Sequence, residues 1–475
     1  MTAHIVTIPE DAHAARRDLR RRFAGRLCVP GEPGYDEGRS ALHPSVDAHP
    51  LVVAEAESPL DVSVALTWAR ERQLPFTVQS TGHGTHLATH GGVLLKTSGM
   101  TRVLVDPDRR VARVAAGARW GAALAAAAPF GLVPLSGSSP DVGVAGYMLG
   151  GGLSWLSRRF GFAADSLLRA QVVLVDGRIV TASRDEHPDL FWALRGGGGN
   201  FGIVTSLEFR LYEVPTVWSG SVAFPLERAA ETLARYREWI ATAPDELSTA
   251  IVLLPSWPST GRPAFAIRAL SSGSAQDPAA ALRPLRRVAG APLWEDFREA
   301  GFAATRMPGI APLNFDMIES LPDPVIEHVV DAVRAPGSRV GAVEVRHWGG
   351  AMARPAHDAG PIGHRDVPLS VIVEGPPEAA EALVPYVTGG SYRNFLRDPS
   401  RLSSAYTPES YQRLSALKAR LDPDGVLPRV AQESLVLGER FLRNRVGQTP
   451  MGCQTVLVST KAASRRVPGS AAQSS

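Results

Sequence analysis

Three glycine-rich segments between residues 79 and 202 constrain this chain more than any other feature. They are Gln79-Ser-Thr-Gly-His-Gly-Thr85, Gly143-Val-Ala-Gly-Tyr-Met-Leu-Gly-Gly-Gly152 and Arg195-Gly-Gly-Gly-Gly-Asn-Phe-Gly202. Glycine lets a backbone approach a ligand closely and turn its N–H groups toward a phosphate. One such loop reads as a turn. Three of them, each beside a strand-like run, favour a large phosphate-bearing cofactor over turns alone. The stretch Gly197-Gly-Gly199-Asn-Phe-Gly202 also fits GxGxxG formally. That fingerprint requires a helix directly after the glycines. Here Ile203-Val-Thr-Ser-Leu-Glu-Phe209 follows, a β-branched alternating run that predicts a strand, so a nicotinamide Rossmann site fails on context.

The surrounding pattern is α+β rather than a repeating βα unit. Leu51–Ala54, Phe76–Gln79 and Val93–Leu95 read as strands. Between the first two, Ser58-Pro-Leu-Asp61 is a capping box with proline at the first helical position, followed by Val62, Ala65, Leu66 and Ala69 at helical spacing. Hairpins are predicted at Arg102–Val105 with Val111–Val114, and at Gln171–Val175 with Arg178–Ala182. The second turns on Asp176-Gly177, a pair expected to take positive φ at both positions. Trp120 to Ala128 is an alanine-rich helix. Residues 213–390 predict a second domain, an antiparallel sheet with helices on one face. Strand-like runs at 248–254, 264–270, 342–348 and 368–374 accompany amphipathic helices near 226–242 and 324–334. From about Ser459 the chain is rich in Ser, Ala and Arg without periodicity, the composition of a disordered end.

Composition narrows the function classes. The formal net charge is +3, and no basic run is long enough to follow a phosphate backbone, so no nucleic-acid partner is expected. Cys28 and Cys453 form no metal or disulfide pattern, which suits a reducing compartment. The N-terminus lacks an apolar core, and no stretch of 18 apolar residues occurs. A cytoplasmic protein without a membrane span is expected. Oligomeric state is not legible. His83, His86 and His90 have a spacing that could suit zinc, but the segment carries no cysteine or carboxylate and a flexible loop does not fix three ligands. No metal site is expected, and a structural loop role is the default for His86 and His90.

The run Asp189-Leu-Phe-Trp-Ala-Leu-Arg-Gly-Gly-Gly-Gly-Asn-Phe-Gly-Ile-Val-Thr205 is highly specific. With Phe76–Met100, Ser136–Gly161, Asp165–Asp176, Tyr392-Arg-Asn-Phe395 and Tyr411–Asp424, it resembles the berberine bridge enzyme-like FAD-linked oxidases of the vanillyl-alcohol oxidase/PCMH superfamily. The resemblance covers about residues 24–428. It implies a PCMH-type FAD-binding domain of two α+β lobes over 1–212 (core about 46–212), a substrate domain over 213–390, a segment at 391–430 returning to the FAD domain, and a tail at 431–475. It also implies FAD contacts from Gln79, Ser80, Thr81, Gly82, His83, Gly84, Ser139, Val142, Gly143, Gly146, Gly150, Gly151, Gly152, Asn200, Gly202, Val204 and Asn394.

In that family a histidine of the first loop is bonded to the flavin 8α-methyl, and His83 occupies its place. Many relatives add a cysteinyl link where this chain has Ser139, so a single histidyl link is implied. Val142 falls where a residue gates oxygen access, and valine there resembles the oxidases. Plant relatives take their base from the last tyrosine of a YxNY motif, which is Phe395 here. The implied reaction is oxidation of a small organic molecule with O2 as acceptor, in the manner of secondary-metabolite tailoring. A flavin-bound sequestering protein and a dehydrogenase using another acceptor are the alternatives.

Because the family base is missing, the strand Ala342-Val-Glu-Val-Arg-His-Trp348 becomes important. Alternation sets Glu344, Arg346 and Trp348 on one face. Glu344 is a candidate general base; the alternative is a Glu344–Arg346 ion pair on a solvated face. Tyr392, His347 and His364 are weaker candidates.

Overall fold

The structure, a computed structural model, describes residues 11–428 apart from 43–45, 86–87, 274–276, 306 and 336. His86, Cys453 and the tail at 431–475 therefore lie outside the described residues. The first sheet joins β1 (Arg26–Cys28), β2 (Val52–Glu55), β3 (Phe76–Gln79) and β4 (Val93–Lys96) in the order β1-β2-β4-β3. Strands β2, β4 and β3 are parallel and β1 is antiparallel. The helix Pro59–Glu71 makes the crossover. Its start is the predicted capping box: Ser58 Oγ accepts from Asp61 N at 3.1 Å, and Asp61 accepts from Ser58 N at 3.1 Å. The buried Asp61 carboxylate also takes Ala24 N at 2.7 Å, which pins the N-terminal segment to this helix.

A second sheet follows. It contains β5 (Val103–Asp106), β6 (Val111–Ala115), β8 (Leu167–Val173), β9 (Ile179–Ser183) and β10 (Ile203–Arg210), in the antiparallel order β5-β6-β10-β8-β9. Leu132–Val133 (β7) pairs separately with Tyr212–Glu213 (β11). Strand β10 runs directly from the third glycine segment, as the alternating sequence requires. The β8–β9 turn departs from expectation. Only Gly177 has positive φ, at +87°, and Gly177 N donates to Leu174 O while Leu174 N donates to Arg178 O. The connection is a turn over Leu174–Gly177 closed by a left-handed glycine, a longer loop than the two-residue form.

The third sheet has eight strands: β12 (Val217–Pro225), β13 (Leu247–Leu254), β14 (Ala264–Ser271), β15 (Trp294–Glu295), β16 (Arg298–Ala300), β17 (Asn314–Ile318), β18 (Ala342–His347) and β19 (Leu369–Glu374). All pairings are antiparallel. One face buries Val343, Val345, Ile251, Ile267 and Val371 under the helices Ala229–Trp239, Pro278–Ala289 and Asp323–Arg334. The other face turns Phe315, Ile372 and Trp348 toward Leu153, Phe162 and Tyr392. In this domain the elements not legible in advance were β12, β15, β16, β17 and the helix Pro278–Ala289. Within β12, position 220 is glycine because Phe297 crosses it so closely that a Cβ would fall 2.6 Å from Phe297 Cα. Pro284 inside the helix reads as a break in sequence and is tolerated in the fold.

The segment after residue 391 packs back onto the glycine-rich part of the chain. Tyr406 OH donates to Gly196 O at 3.1 Å, Lys418 Nζ donates to Asn200 O at 2.8 Å, and Arg413 and Arg420 both bind Asp189. Among the described residues no helix is long and apolar enough to cross a membrane.

Candidate functional site

The first and second glycine segments are laced together through residues 116–120. Ser80 Oγ donates to Ala116 O at 3.0 Å, and Gly143 N donates to Thr81 Oγ1 at 3.2 Å. Trp120 N donates to Val142 O at 3.0 Å and Val144 N to Ala118 O at 2.9 Å. His83 Nδ1 lies 3.0 Å from the same Thr81 hydroxyl, so its ring is held on the seam between the two loops. Gly82 takes φ +81° in this turn. At Gly84 and Gly146 a Cβ would meet no atom within 4 Å. Two adjacent backbone stretches that face open space fit the pyrophosphate-bearing part of a dinucleotide such as FAD, because main-chain N–H groups can then reach it. Val142 lies half-buried on this surface, and Ser139 Oγ accepts from Asp141 N at 3.3 Å at its edge.

At other expected cofactor positions the Cβ direction or the side chain is packed against the protein. Cβ atoms at Gly150, Gly151 and Gly152 would fall 2.6 Å from Asn394, 2.7 Å from Tyr392 OH and 2.4 Å from Tyr147. Asn394 clamps this stretch, accepting from Gly152 N at 2.9 Å and donating to Tyr147 O at 3.2 Å. Gly202 would strike Val172, and Val204 pairs with Val172 in the sheet. The buried Gln79 side chain donates to Ser40 O at 3.1 Å beneath Gly82, and Asn200 offers its carbonyl to Lys418. Ser80, Thr81, His83, Gly84, Val142, Gly143 and Gly146 form the contiguous surface. Gln79, Gly202 and Val204 hold the fold beneath it.

The large sheet supplies the facing groups. In register across it stand Arg268, Ala250, Arg346 and Ser370, and beside them Ala266, Val252, Glu344, Ile372 and Phe315. Directly opposed residues share a face. Glu344 and Arg346 are therefore neighbours on the face that carries Trp348, as alternation requires. The face is not solvated: Glu344 is 3% exposed and Arg346 9%. Nor do the two form an ion pair. The cation nearest the Glu344 carboxylate is Arg268, at 3.9 Å, while the Arg346 guanidinium lies over the Trp155 ring at 4.2 Å. Arg268 is an inward charge in an otherwise apolar strand. That was the signal in the sequence that could have revealed it.

Tyr392 packs edge-on against Trp348 at 5.3 Å, and its ring stacks on Phe162 at 5.5 Å. Phe395 lies beside it at 5.4 Å. Burial pushes the Tyr392 phenol well above the ordinary tyrosine range, so at neutral pH it is a hydrogen-bond donor rather than a base. His364 is turned away, with Nε2 2.8 Å from Ser404 O.

His347 occupies the opposite face of β18. Its Nε2 lies 2.9 Å from Arg158 Nη1, and Arg158 also donates to Leu247 O and Trp348 O. A guanidinium can only donate, so Nε2 must be unprotonated. Burial, reinforced by Arg158, pushes the imidazole down to about 3 from its usual 6.5, which removes it as a base. A histidine depressed in the fold takes up its proton first in the unfolded chain. Its contribution to stability is therefore complete above about pH 6.5 and falls toward pH 3, by about 1.4 kcal/mol per pH unit within that window. His347→Gln keeps an acceptor for Arg158 and does not titrate. Denaturant unfolding at a series of pH values should show the variant losing less stability than the wild type on acidification. Parallel curves would show that His347 is not the acid-labile group.

Comparison with known proteins agrees with this geometry. The FAD binding domain family matches residues 50–183. The FAD-linked oxidoreductase YvdP of Bacillus subtilis is 35% identical over 223 residues, 46% of this chain and 50% of that protein. The (R)-6-hydroxynicotine oxidase of Paenarthrobacter nicotinovorans is 35% identical over 199 residues, 40% of this chain and 42% of its own length. The chain thus spans about half the length of the curated relatives it matches. The solved structure of Physcomitrella patens BBE-like 1 superposes with a TM-score of 0.77 at 22% identity, over 88% of this chain and 98% of that one. The chain thus carries an FAD binding domain over residues 50–183 and shares the α+β fold of this BBE-like structure.

Proposed function

We propose that this protein is an FAD-dependent oxidase that holds its flavin covalently through His83 and oxidises a small organic molecule, with O2 taking the electrons to give H2O2. The observation that carries the reading is Glu344: a buried carboxylate on the sheet face turned toward the glycine segments, at 3.9 Å from a balancing arginine. When bound, FAD supplies the hydride acceptor, and the chemistry of electron transfer is its own. The chain's contribution is orientation and proton handling. Glu344 accepts the proton released as the substrate's C–H bond is oxidised, and Arg268, 3.9 Å away, positions the carboxylate. The aromatic wall of Phe162, Trp348 and Tyr392 excludes water above that site. Ser80, Thr81 and the open backbone at Gly84 and Gly146 hold the cofactor's phosphates. Val142 leaves O2 access, and Ser139 cannot form a cysteinyl link.

Two measurements test this. Air-saturated enzyme should release peroxide in step with consumption of one member of a panel of alcohols, sugars and hydroxylated aromatics. Flavin reduction followed by slow reoxidation in air would instead identify a dehydrogenase, and tight binding without flavin reduction a sequestering protein. The attachment is tested separately: acid-precipitated wild type should remain yellow, and His83→Ala should release essentially all its FAD into the supernatant. A colourless wild-type precipitate would remove the covalent link, and a flavin peptide joined through sulfur would remove the single-link claim.

A further inference from the structure

We infer that Arg346 is the anchor for an anionic oxygen of the substrate, so that the substrate class is a small organic molecule bearing a carboxylate or a phenolate. The inference rests on the oxidase reading of this site and deepens it. Arg346 is 9% exposed, yet among the described residues its guanidinium makes no hydrogen bond and no ion pair; its recorded contact is the Trp155 ring at 4.2 Å. Burying most of an arginine without an acceptor is costly, since the guanidinium gives up much of its water and gains no protein hydrogen bond in return. Glu344 relieves that cost only in part. Glu344 lies nearest Arg268, at 3.9 Å, which leaves two cations against one anion on this sheet face. Asp165 is taken by Arg365 at 2.7 and 2.9 Å.

The other unmet groups nearby have the same polarity. Trp155 Nε1, Tyr147 OH and Tyr392 OH are buried with no hydrogen-bond partner among the described residues. Tyr147 and Tyr392 lie within electrostatic reach of the Arg346 guanidinium. An indole N–H and a guanidinium can only donate, and both phenols keep their protons because burial raises them. Three buried donors without partners therefore lie around the Arg346 guanidinium, and the complement is an acceptor with negative charge. The aromatic side chains Phe162, Trp348 and Phe315 flank it, which suits an apolar body behind the anionic oxygen. A neutral polyol would leave the guanidinium charge unanswered.

Benzoate and its neutral isostere benzamide are suitable probes, titrated calorimetrically into the oxidised, flavin-loaded wild-type protein. Charge-assisted hydrogen bonds predict that benzoate binds about 10- to 100-fold more tightly. In Arg346→Met that ratio should collapse to about one while benzamide affinity hardly changes, because a general loss of structure would weaken both. Arg346→Lys should retain part of the preference. Equal binding of both probes to the wild type overturns the inference without any variant, so a misfolded Arg346→Met protein leaves the test intact. A preference that persists in Arg346→Met also overturns it. So does a flavin potential that shifts in Arg346→Met with an unchanged benzoate preference, which would assign the arginine to the flavin ring. Because binding is read without turnover, the two readings fail separately. Absence of peroxide with a preserved benzoate preference sinks only the oxidase, and peroxide formation with equal probe binding sinks only the anion anchor.

Discussion

Glu344→Gln is expected to slow reduction of the flavin by about 10²- to 10⁴-fold, the usual contribution of a positioned general base. The amide preserves the shape of the side chain, so substrate affinity should change much less than the rate of reduction. The carboxylate is 3% exposed and the nearest cation is 3.9 Å away. The change therefore removes a proton acceptor without breaking a short bidentate pair. Rapid mixing of substrate with oxidised enzyme under anaerobic conditions measures the step directly. Reduction of Glu344→Gln at the wild-type rate would leave Glu344 as a partner of Arg268 only. Flavin content and unfolding midpoint must match those of the wild type for the comparison to bear on catalysis.

The largest stability effect is expected at Asp165. Its carboxylate receives both Arg365 amino groups, at 2.7 and 2.9 Å, and also Phe162 N at 3.0 Å. Arg365 is 9% exposed, its guanidinium lies 5.0 Å from the centre of the Phe162 ring, and its Nε has no partner among the described residues. Asp165→Asn would leave that cation buried without a counter-charge, a loss of about 3–5 kcal/mol. Denaturant unfolding checks the value. The double variant Asp165→Leu with Arg365→Met should be less destabilised than Asp165→Asn, because no charge then remains to be solvated. A single-variant loss below about 1 kcal/mol would mean that water reaches the pair and screens it.

Much of this protein was legible from residue order because local rules decide it. The Ser58–Asp61 capping box, the strand after the third glycine segment and the alternation of Glu344, Arg346 and Trp348 are short-range features. Each depends on steric and hydrogen-bonding preferences within a few residues. The glycine segments announced a ligand-approached backbone for the same reason, and their resemblance to one flavoprotein family named the cofactor. What local rules could not provide was the division of labour among the glycines. Gly84 and Gly146 face open space, whereas Gly150, Gly151 and Gly152 make room for Asn394, Tyr392 and Tyr147 from distant parts of the chain.

Partnership among the buried charges was likewise decided by tertiary structure. In sequence, Arg346 is the obvious partner for Glu344, two residues away. In the sheet, strand pairing brings Arg268 to the same face, where Glu344 and Arg346 are buried and Arg268 half-buried, so the nearest cation comes from β14. His347 could not be dismissed as a base until Arg158, 189 residues earlier, was found donating to its ring. Register between strands and the exclusion of water are properties of the packed chain. Together they determine which ionisable group is satisfied, which is silenced and which is left, like Arg346, with donors but no acceptor.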